Sequence, residues 1–198
     1  MDRDRANHYP LRRRTVVAAL LQDRGETLVV TGLGAATWDA TAAGDHDLTF
    51  PFWGAMGGTA MAGLGLSLAQ PERRVLVITG DGDMLMGLGA IAAIAAEQPA
   101  NLAVVVIDNE RYGETGMQVT ATAGSVDLAA MAAAAGWPAT GRIDDEAGLE
   151  AALPLIRDGA GPMLYDVKVR AEELPLVMPP KDGAHLKDRF RRALLGDV

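Results

Sequence analysis

Two runs of apolar, β-branched residues in the middle of the chain end in polar groups. Residues 75–78 lead into Thr79-Gly80-Asp81-Gly82-Asp83, and residues 104–107 lead into Asp108-Asn109. Such runs predict buried parallel strands with polar groups at their carboxyl ends. Residues 84–97 are rich in Ala, Met, Leu and Ile and contain no Pro, which predicts one helix. The resulting βαβ unit places Asp81 and Asn109 at the same edge of neighbouring strands.

Hydrophobic periodicity predicts further elements on both sides of this unit. Strands are expected at 27–31 and 163–169, and helices at 11–23, 59–70, 127–135, 148–157 and from about 184. Asp127 or Ser125 would cap the third of these helices, and Pro154 would kink or shorten the fourth. Gly63 and Gly65 lie inside the helix at 59–70, where close backbone packing would explain them.

Alternation of strands and helices predicts an α/β fold, a doubly wound parallel sheet with helices on both faces. We expect a single domain over residues 1–198, with a loose segment at 1–10 and a tail at 172–198.

Composition excludes several classes of function. A net charge of −8 argues against a nucleic-acid partner, and Arg12-Arg13-Arg14 is interpreted as a solvated helix start rather than a phosphate or RNA contact. The chain has no cysteine, so disulfides, thiolate zinc sites and Cys-ligated clusters within it are excluded. Neither a signal pattern nor a membrane-spanning apolar run is evident, which predicts a cytoplasmic protein without a membrane partner.

The polar groups after the two strands have the chemistry of a metal–phosphate site. Gly80 and Gly82 allow a ligand close to the backbone, and the amides of Gly82 and Asp83 at a helix start favour phosphate. Asp81 and Asn109 offer the hard oxygen ligands that suit Mg²⁺. Either residue alone is as well explained as a helix cap or a turn residue without a ligand. These residues therefore support at most a Mg²⁺–phosphate site and do not identify the molecule.

The spacing of these residues resembles the signature of thiamine-diphosphate-dependent enzymes. Twenty-six residues separate Gly82 of Gly-Asp-Gly from Asn109. The family often has Asn-Asn where this chain has Asp108-Asn109. The resemblance implies the thiamine-diphosphate-binding fold, with thiamine diphosphate and Mg²⁺ as cofactors. Asp81, Asn109 and the backbone carbonyl of Arg111 would hold the metal. The groups that would hold the diphosphate are Gly80, Gly82, Asp83, Tyr112 and Gly113.

A second segment, Gly54-Ala55-Met56-Gly57, resembles the part of the family that bends the cofactor. Met56 would wedge between the two cofactor rings, and the Gly54 carbonyl would accept a hydrogen bond from the 4′-amino group. Ordinary core filling is the alternative for Met56. Glu114, His46 and Tyr112 are candidates near the substrate, but Glu114 could equally be a solvated loop carboxylate and His46 an exposed loop residue.

The resemblance is strongest to the diphosphate-binding halves of 2-oxoacid decarboxylases, in particular those acting on sulfopyruvate and phosphonopyruvate. In that family a separate pyrimidine-binding domain supplies a catalytic glutamate, and only 79 residues precede Gly80 here. We therefore expect a partner subunit that supplies the glutamate, a hetero-oligomer with even subunit numbers, and a small 2-oxoacid substrate that loses CO₂ to give an aldehyde.

Other functions remain open at this point. One is a carboligase of the acetolactate-synthase type, and another is a non-catalytic cofactor-binding or regulatory subunit. An oxidoreductase subunit with Cys-bound clusters is disfavoured by the absence of cysteine. A dinucleotide-binding dehydrogenase is the weakest alternative, because Gly32-Leu33-Gly34 lacks the third glycine of the fingerprint.

Overall fold

A parallel sheet of six strands forms the centre of the fold in a computed structural model, which describes residues 4–196. The strands run across the sheet in the order β2 (Thr49–Pro51), β1 (Leu28–Thr31), β3 (Val75–Gly80), β4 (Leu102–Asp108), β8 (Met163–Lys168) and β7 (Ala139–Ile143). A separate antiparallel hairpin joins β5 (Arg111–Tyr112) to β6 (Gln118–Val119). Because β3 and β4 are parallel neighbours in the middle of the sheet, their polar carboxyl ends meet at one edge.

Eight α-helices accompany the strands within residues 4–196. They are α1 (Arg13–Leu21), α2 (Ala35–Ala43), α3 (Thr59–Ala69), α4 (Asp81–Met86), α5 (Gly89–Glu97), α6 (Leu128–Ala134), α7 (Glu146–Asp158) and α8 (Gly183–Leu195). None of the helices in this part of the chain combines the length and the apolar character needed to cross a bilayer.

Two hydrophobic cores lie on opposite faces of the sheet, because successive strand residues point to opposite sides. Leu76 and Ile78 of β3 join the core that includes α1, α2 and α7. Val75 and Val77 join the core that includes α3, α5 and α6. The predicted doubly wound α/β fold with helices on both faces is therefore confirmed.

The single helix predicted at 84–97 is wrong, since α4 and α5 divide this stretch at Gly87 and Leu88. Gly87 lies directly against the backbone of Gly57, and a side chain at Gly87 would overlap the Gly57 carbonyl. The break therefore lets the segment that carries Met56 approach the start of α4.

Four short strands were not predicted. β2 contains Pro51 and has only three residues, β7 is a half-exposed strand at the sheet border, and the β5–β6 hairpin has two residues on each side. Predicted boundaries elsewhere differ from the observed ones by a few residues. The cap of α6 is confirmed as Asp127, whose side chain accepts a hydrogen bond from the Ala130 amide at 2.8 Å.

Pro154 does not shorten its helix, because α7 continues through it to Asp158. Proline removes the amide that would bond to the carbonyl of Glu150 four residues earlier. Both Pro154 and Glu150 lie on the exposed side of the helix. Water can therefore satisfy the freed carbonyl, and the prediction of a shortened helix is wrong.

The N-terminal segment is ordered where the structure describes it, so the prediction of a loose segment is wrong for residues 5–10. Arg5–His8 forms a 3₁₀ turn, the Ala171 amide donates to the Ala6 carbonyl at 2.8 Å, and Arg170 Nε donates to the Tyr9 carbonyl at 3.0 Å. Residues 1–3 of the predicted segment lie outside the described residues.

The basic cluster at the start of α1 is less solvated than predicted. Arg13 is buried and forms an ion pair with Asp39, which also accepts a hydrogen bond from Arg14 at 3.0 Å. Arg12 pairs with Glu172. The cluster therefore fastens α1 to α2 and to the segment after β8.

Gly63 and Gly65 offer a matched test of helix packing. A Cβ on Gly63 would overlap Cγ2 of Val77 on β3, whereas a Cβ on Gly65 would meet no atom within 4 Å. We expect Gly63→Ala to lower the free energy of unfolding by about 1–3 kcal/mol through overpacking. Gly65→Ala should raise it by roughly 0.5–1 kcal/mol through helix propensity. Urea unfolding of both variants checks this, and equal effects would contradict the packing account.

Candidate active site at the carboxyl edge of the sheet

A cavity opens where β3 and β4 end, and ten of the twelve residues predicted for the site line it. They are Met56, Gly80, Asp81, Gly82, Asp83, Asn109, Arg111, Tyr112, Gly113 and Glu114. Arg13, Leu33 and Ile107 also line the cavity, and no pattern in the sequence indicated them. Residues from five separate stretches of sequence thus converge on the strand ends, which is where open α/β sheets bind ligands.

Asp81 is a buried carboxyl group that forms no salt bridge with the residues at 4–196. It is the first residue of α4, it is 2% exposed, and its Oδ2 accepts a hydrogen bond from the Thr120 hydroxyl at 2.6 Å. Burial, followed by the nearby charge of Asp108, raises the pKa of Asp81 to about 8. A carboxylate in this position gains most from a bound cation, because the cation would offset the cost of burying the charge.

Asn109 and Arg111 form a tight turn beside Asp81 at the end of β4. The Arg111 amide donates to Oδ1 of Asn109 at 2.9 Å, and an amide oxygen has a second lone pair for a further partner. Asp81, Asn109 and the Arg111 carbonyl make an all-oxygen donor set of the kind that suits Mg²⁺. Among the described residues no group of three or more His, Cys, Asp or Glu side chains could hold a metal ion. The donor set therefore fits a Mg²⁺ that water and phosphate oxygens also coordinate.

The first turn of α4 presents backbone amides beside this donor set. Amides at a helix start have no partner within the helix and attract phosphate. A Cβ on Gly82 would lie 2.7 Å from the ring of Tyr112 and 3.5 Å from Cε of Met56. Gly82 therefore lets Tyr112 approach the turn closely, whereas Met56 would remain in ordinary contact, and both side chains border the same space.

The side chain of Asp83 connects α4 to the segment that carries Met56, a role the sequence did not indicate. Its Oδ2 accepts hydrogen bonds from the hydroxyls of Thr59, at 2.6 Å, and Thr79, and its Oδ1 accepts one from the Gly57 amide. Asp83 was predicted to contribute its backbone only. The two threonines adjoining Gly80 and Gly58 were the signal that could have indicated these contacts.

Met56 and Gly54 occupy different positions relative to the cavity. Met56 is half-buried and lines it, whereas Gly54 is exposed and lies in the open segment after β2. The indoles of Trp53 and Trp38 make an edge-to-face contact, with ring centroids 5.6 Å apart, which fixes this segment against α2. The predicted roles of Met56 as a wedge and of the Gly54 carbonyl as an acceptor remain predictions.

Glu114 is an exposed loop residue at the cavity wall, and one hydrogen bond holds its carboxylate. Its Oε1 accepts a hydrogen bond from Nε1 of Trp38 at 3.1 Å, and its side chain packs against Gly34 at the start of α2. Tyr112 pairs with Gln118 in the hairpin that follows the turn at Asn109 and Arg111. Glu114 and Tyr112 therefore stay candidates for contact with a substrate.

His46 lies away from the site, and the prediction of a role near the substrate is wrong. It precedes β2, so it lies at the amino edge of a parallel sheet whose carboxyl edge forms the cavity. Its Nδ1 accepts a hydrogen bond from the Leu48 amide at 3.0 Å, which makes it part of the turn. Burial, followed by the charge of Arg24, lowers the pKa of His46.

A cluster of buried charges next to the turn at Asn109 and Arg111 was not predicted from the sequence. Lys168 is 1% exposed, and its Nζ lies 2.5 Å from Asp108, 3.4 Å from Glu110 and 3.8 Å from Asp166. These carboxylates raise the pKa of Lys168 although burial opposes the change. Burial, followed by the charge of Asp108, raises the pKa of Asp166 to about 8. Charged residues inside the apolar stretch at 163–169 were the available signal.

Comparison with known proteins identifies relatives along most of the chain. The chain is 34% identical to the sulfopyruvate decarboxylase subunit beta of Methanothermobacter thermautotrophicus, over 91% of this chain and 92% of that subunit. It is 38% identical to the phosphonopyruvate decarboxylase of Streptomyces hygroscopicus, over 82% of this chain but only 40% of that protein. The first relative thus matches nearly end to end, and the second matches through one part of its length.

A solved structure and a family model agree with these relatives. An X-ray structure from Mycobacterium smegmatis, provisionally described as a thiamin diphosphate-dependent enzyme, superimposes with a TM-score of 0.69 over 82% of this chain and 32% of that one. At 22% sequence identity that likeness shows the fold alone. Residues 32–167 match the family described as "Thiamine pyrophosphate enzyme, C-terminal TPP binding domain". The chain therefore belongs to the thiamine pyrophosphate enzymes and contains their TPP-binding domain.

Proposed function

We propose that the chain is the thiamine-diphosphate-binding subunit of a heteromeric 2-oxoacid decarboxylase that resembles the sulfopyruvate and phosphonopyruvate enzymes. It anchors the cofactor diphosphate through Mg²⁺, and a partner subunit contributes the pyrimidine pocket and the catalytic glutamate. The main support is the buried Asp81 carboxylate, which borders a cavity together with Asn109 in a chain of this family. The end-to-end match with a relative called subunit beta supports the division between two polypeptides.

Different residues of the cavity would bind the metal and the diphosphate of the cofactor. Asp81, Asn109 and the Arg111 carbonyl would bind the metal, and the Gly82 and Asp83 amides would bind diphosphate oxygens. The chemistry that thiamine diphosphate supplies when bound is an electron sink for the carbon that loses carboxylate.

The remaining residues of the cavity shape the space around the reacting atoms. Met56 would hold the cofactor in its bent form, and the Gly54 carbonyl would orient the 4′-amino group. Glu114, which the Trp38 indole fixes in the wall, and Tyr112 would contact the substrate end and limit the access of water. The 2-oxoacid substrate would lose CO₂, and the product would be released as an aldehyde.

The test is to purify the tagged chain from its own cells together with the partner that it retains. We expect this complex to decarboxylate a 2-oxoacid only when both thiamine diphosphate and Mg²⁺ are present. Carbon dioxide release and aldehyde formation are measured with pyruvate, sulfopyruvate and phosphonopyruvate. The chain alone should bind the cofactor weakly and show no turnover, because half of the cofactor pocket is absent.

Each alternative function gives a different result in the same assay. A 2-hydroxyketone product would assign the complex to the carboligases. Cofactor binding without turnover of any 2-oxoacid would indicate a regulatory subunit. Rapid decarboxylation by the isolated chain would overturn the division of the active site between two polypeptides.

A further inference from the structure

Glu110 has an unusual backbone conformation at the centre of the candidate metal site. It lies between Asn109 and Arg111, its relative exposure is 0%, and its φ is +59°, in the left-handed region. Residues with long side chains rarely adopt this conformation, which persists where the surrounding structure holds it. Because both neighbours of Glu110 are proposed metal ligands, its backbone sets how the Asn109 amide and the Arg111 carbonyl face the metal.

The N-terminal segment, residues 5–9, holds the carboxylate of Glu110 from 105 residues away. Arg5 donates from Nε to Oε1 at 2.9 Å and to Oε2 at 3.1 Å, and from Nη2 to Oε1 at 2.6 Å. The Tyr9 hydroxyl donates to the same Oε1 at 2.8 Å. The Nζ of Lys168 also lies 3.4 Å from Oε1. A carboxylate held by several charge-assisted hydrogen bonds leaves little freedom to the residue that carries it.

The backbone of the turn is fixed by the same network. The Glu110 amide donates to Asp108 Oδ1 at 2.8 Å, and its carbonyl accepts from the Thr120 amide at 3.0 Å. Arg5 also donates to the Thr122 carbonyl at 3.0 Å. The hydroxyl of Thr122 lies 2.9 Å from Asp108 and 3.3 Å from Oδ2 of Asp81. One continuous set of hydrogen bonds therefore joins the N-terminal segment to Asp81 and to the turn that contains Asn109.

We propose that residues 5–9 act as a clamp that positions the metal-binding turn through Glu110. The clamp is itself fastened to the chain after β8 by the bonds from Arg170 to Tyr9 and from Ala171 to Ala6, so contacts outside the turn also hold it. Arg5 and Tyr9 are positioning residues and touch neither metal nor substrate. The proposal rests on the proposed function, because it takes Asn109 and Arg111 as the ligands to be positioned.

Ion affinity separates this role from simple stabilisation. An ordinary salt bridge would change the unfolding midpoint alone, whereas a positioning clamp also changes the affinity for the metal. Partners that orient metal ligands typically change metal affinity by 10–100-fold when they are removed. Mn²⁺ suits the same oxygen ligands as Mg²⁺ and gives an electron paramagnetic resonance signal that reports its free concentration.

The experiment titrates Mn²⁺ into the purified complex of the chain and its partner at saturating thiamine diphosphate. We expect Arg5→Ala to raise the Mn²⁺ dissociation constant about tenfold or more. Tyr9→Phe removes one hydrogen bond and no charge, so a rise of about threefold is expected. Tyr9→Phe carries the test if Arg5→Ala does not fold. Arg189→Ala is the matched control, because it removes a two-pronged Arg–carboxylate pair with Asp45, at 2.6 and 2.9 Å, away from the cavity.

A double-mutant cycle shows whether Arg5 acts through Glu110. If it does, Arg5→Ala in a Glu110→Gln background adds much less to the dissociation constant than it does alone. Unchanged Mn²⁺ affinity in both Arg5→Ala and Tyr9→Phe, with tight binding by the wild-type complex, would overturn the clamp and leave the proposed function standing. Absence of Mn²⁺ and cofactor binding by the wild-type complex would overturn both.

Discussion

Replacing Asp81 with Asn is expected to abolish cofactor-induced stabilisation while leaving the unliganded protein at least as stable as before. The pKa of Asp81 is raised to about 8 by burial and then by Asp108, so its side chain is largely neutral at pH 7 without a metal. Asparagine has nearly the same shape and is also neutral. Asp81→Asn should therefore raise the unfolding free energy of the unliganded protein at pH 7, because Asp81 must take up a proton on folding at that pH and asparagine need not.

The affinity for Mg²⁺–thiamine diphosphate should behave differently. In the proposed site the ionised carboxylate is a metal ligand, so we expect the affinity to weaken on the order of 100-fold in Asp81→Asn, or about 2.8 kcal/mol. Ligand at 100 times the wild-type dissociation constant should raise the wild-type melting temperature by about 5–10 °C and that of the variant hardly at all. Thermal melts of the complex, with and without Mg²⁺ and cofactor, measure the difference.

Asp166→Asn is the matched control for this variant. Asp166 is equally buried, its pKa is also raised to about 8, and it does not line the cavity. Asp166→Asn should keep the full rise in melting temperature that the cofactor causes. Loss of the shift in both variants, or its retention in Asp81→Asn, would contradict the assignment of Asp81 as a metal ligand.

The pH dependence of stability and of cofactor affinity follows from the same pKa values. The ordinary pKa of both carboxyl groups, Asp81 and Asp166, is 3.8. Because the pKa is raised in the folded chain, the folded state binds the proton more tightly than the unfolded state does. Their contribution to stability is complete below pH 4 and is lost as the pH rises through about 8. Metal binding must displace the proton from Asp81, so cofactor affinity should increase toward pH 8 in the wild type and remain flat in Asp81→Asn.

The fold was largely predictable because its strongest signals are local. Uninterrupted runs rich in β-branched residues predict β3 and β4, and Ala-rich segments predict the helices that alternate with them. The division of the helix at 84–97 was not predictable, because it results from contact between Gly87 and Gly57, thirty positions apart. β2 and β7 carry weak patterns, since one contains Pro51 and the other lies half-exposed at the sheet border.

The site shows the same division between local and long-range information. Residues that follow the strands directly, such as Asp81 and Asn109, were placed correctly at one edge, because parallel strands bring their ends together. The connection of Arg5 to Glu110 and the burial of Lys168 depend on partners more than fifty positions away. His46 was misjudged because its chemistry suits catalysis, whereas topology places it at the opposite edge.

Replacing Asp83 with Ala is expected to cause the largest loss of stability at the site. The carboxylate accepts hydrogen bonds from Thr59, Thr79 and Gly57, and it is 4% exposed. Alanine would leave three donors in a largely buried place without an acceptor. We expect a loss of about 3–5 kcal/mol in the free energy of unfolding, measured by urea denaturation. That is a large share of the roughly 5–15 kcal/mol that stabilises an ordinary domain.

Two milder variants determine whether this loss comes from the hydrogen bonds of Asp83. Asp83→Asn keeps an oxygen for the Gly57 amide, and the hydroxyls of Thr59 and Thr79 can turn to accept from its NH₂ group, so its loss should be smaller. Thr59→Val removes one donor together with its need for a partner and should cost about 1 kcal/mol. The hydrogen bond from the Gly57 amide ties the Met56 segment to α4, so the loss of cofactor affinity should follow the loss of stability. It should be largest in Asp83→Ala, smaller in Asp83→Asn and smallest in Thr59→Val. Equal stability of all three variants would mean that Asp83 does not hold this segment in place.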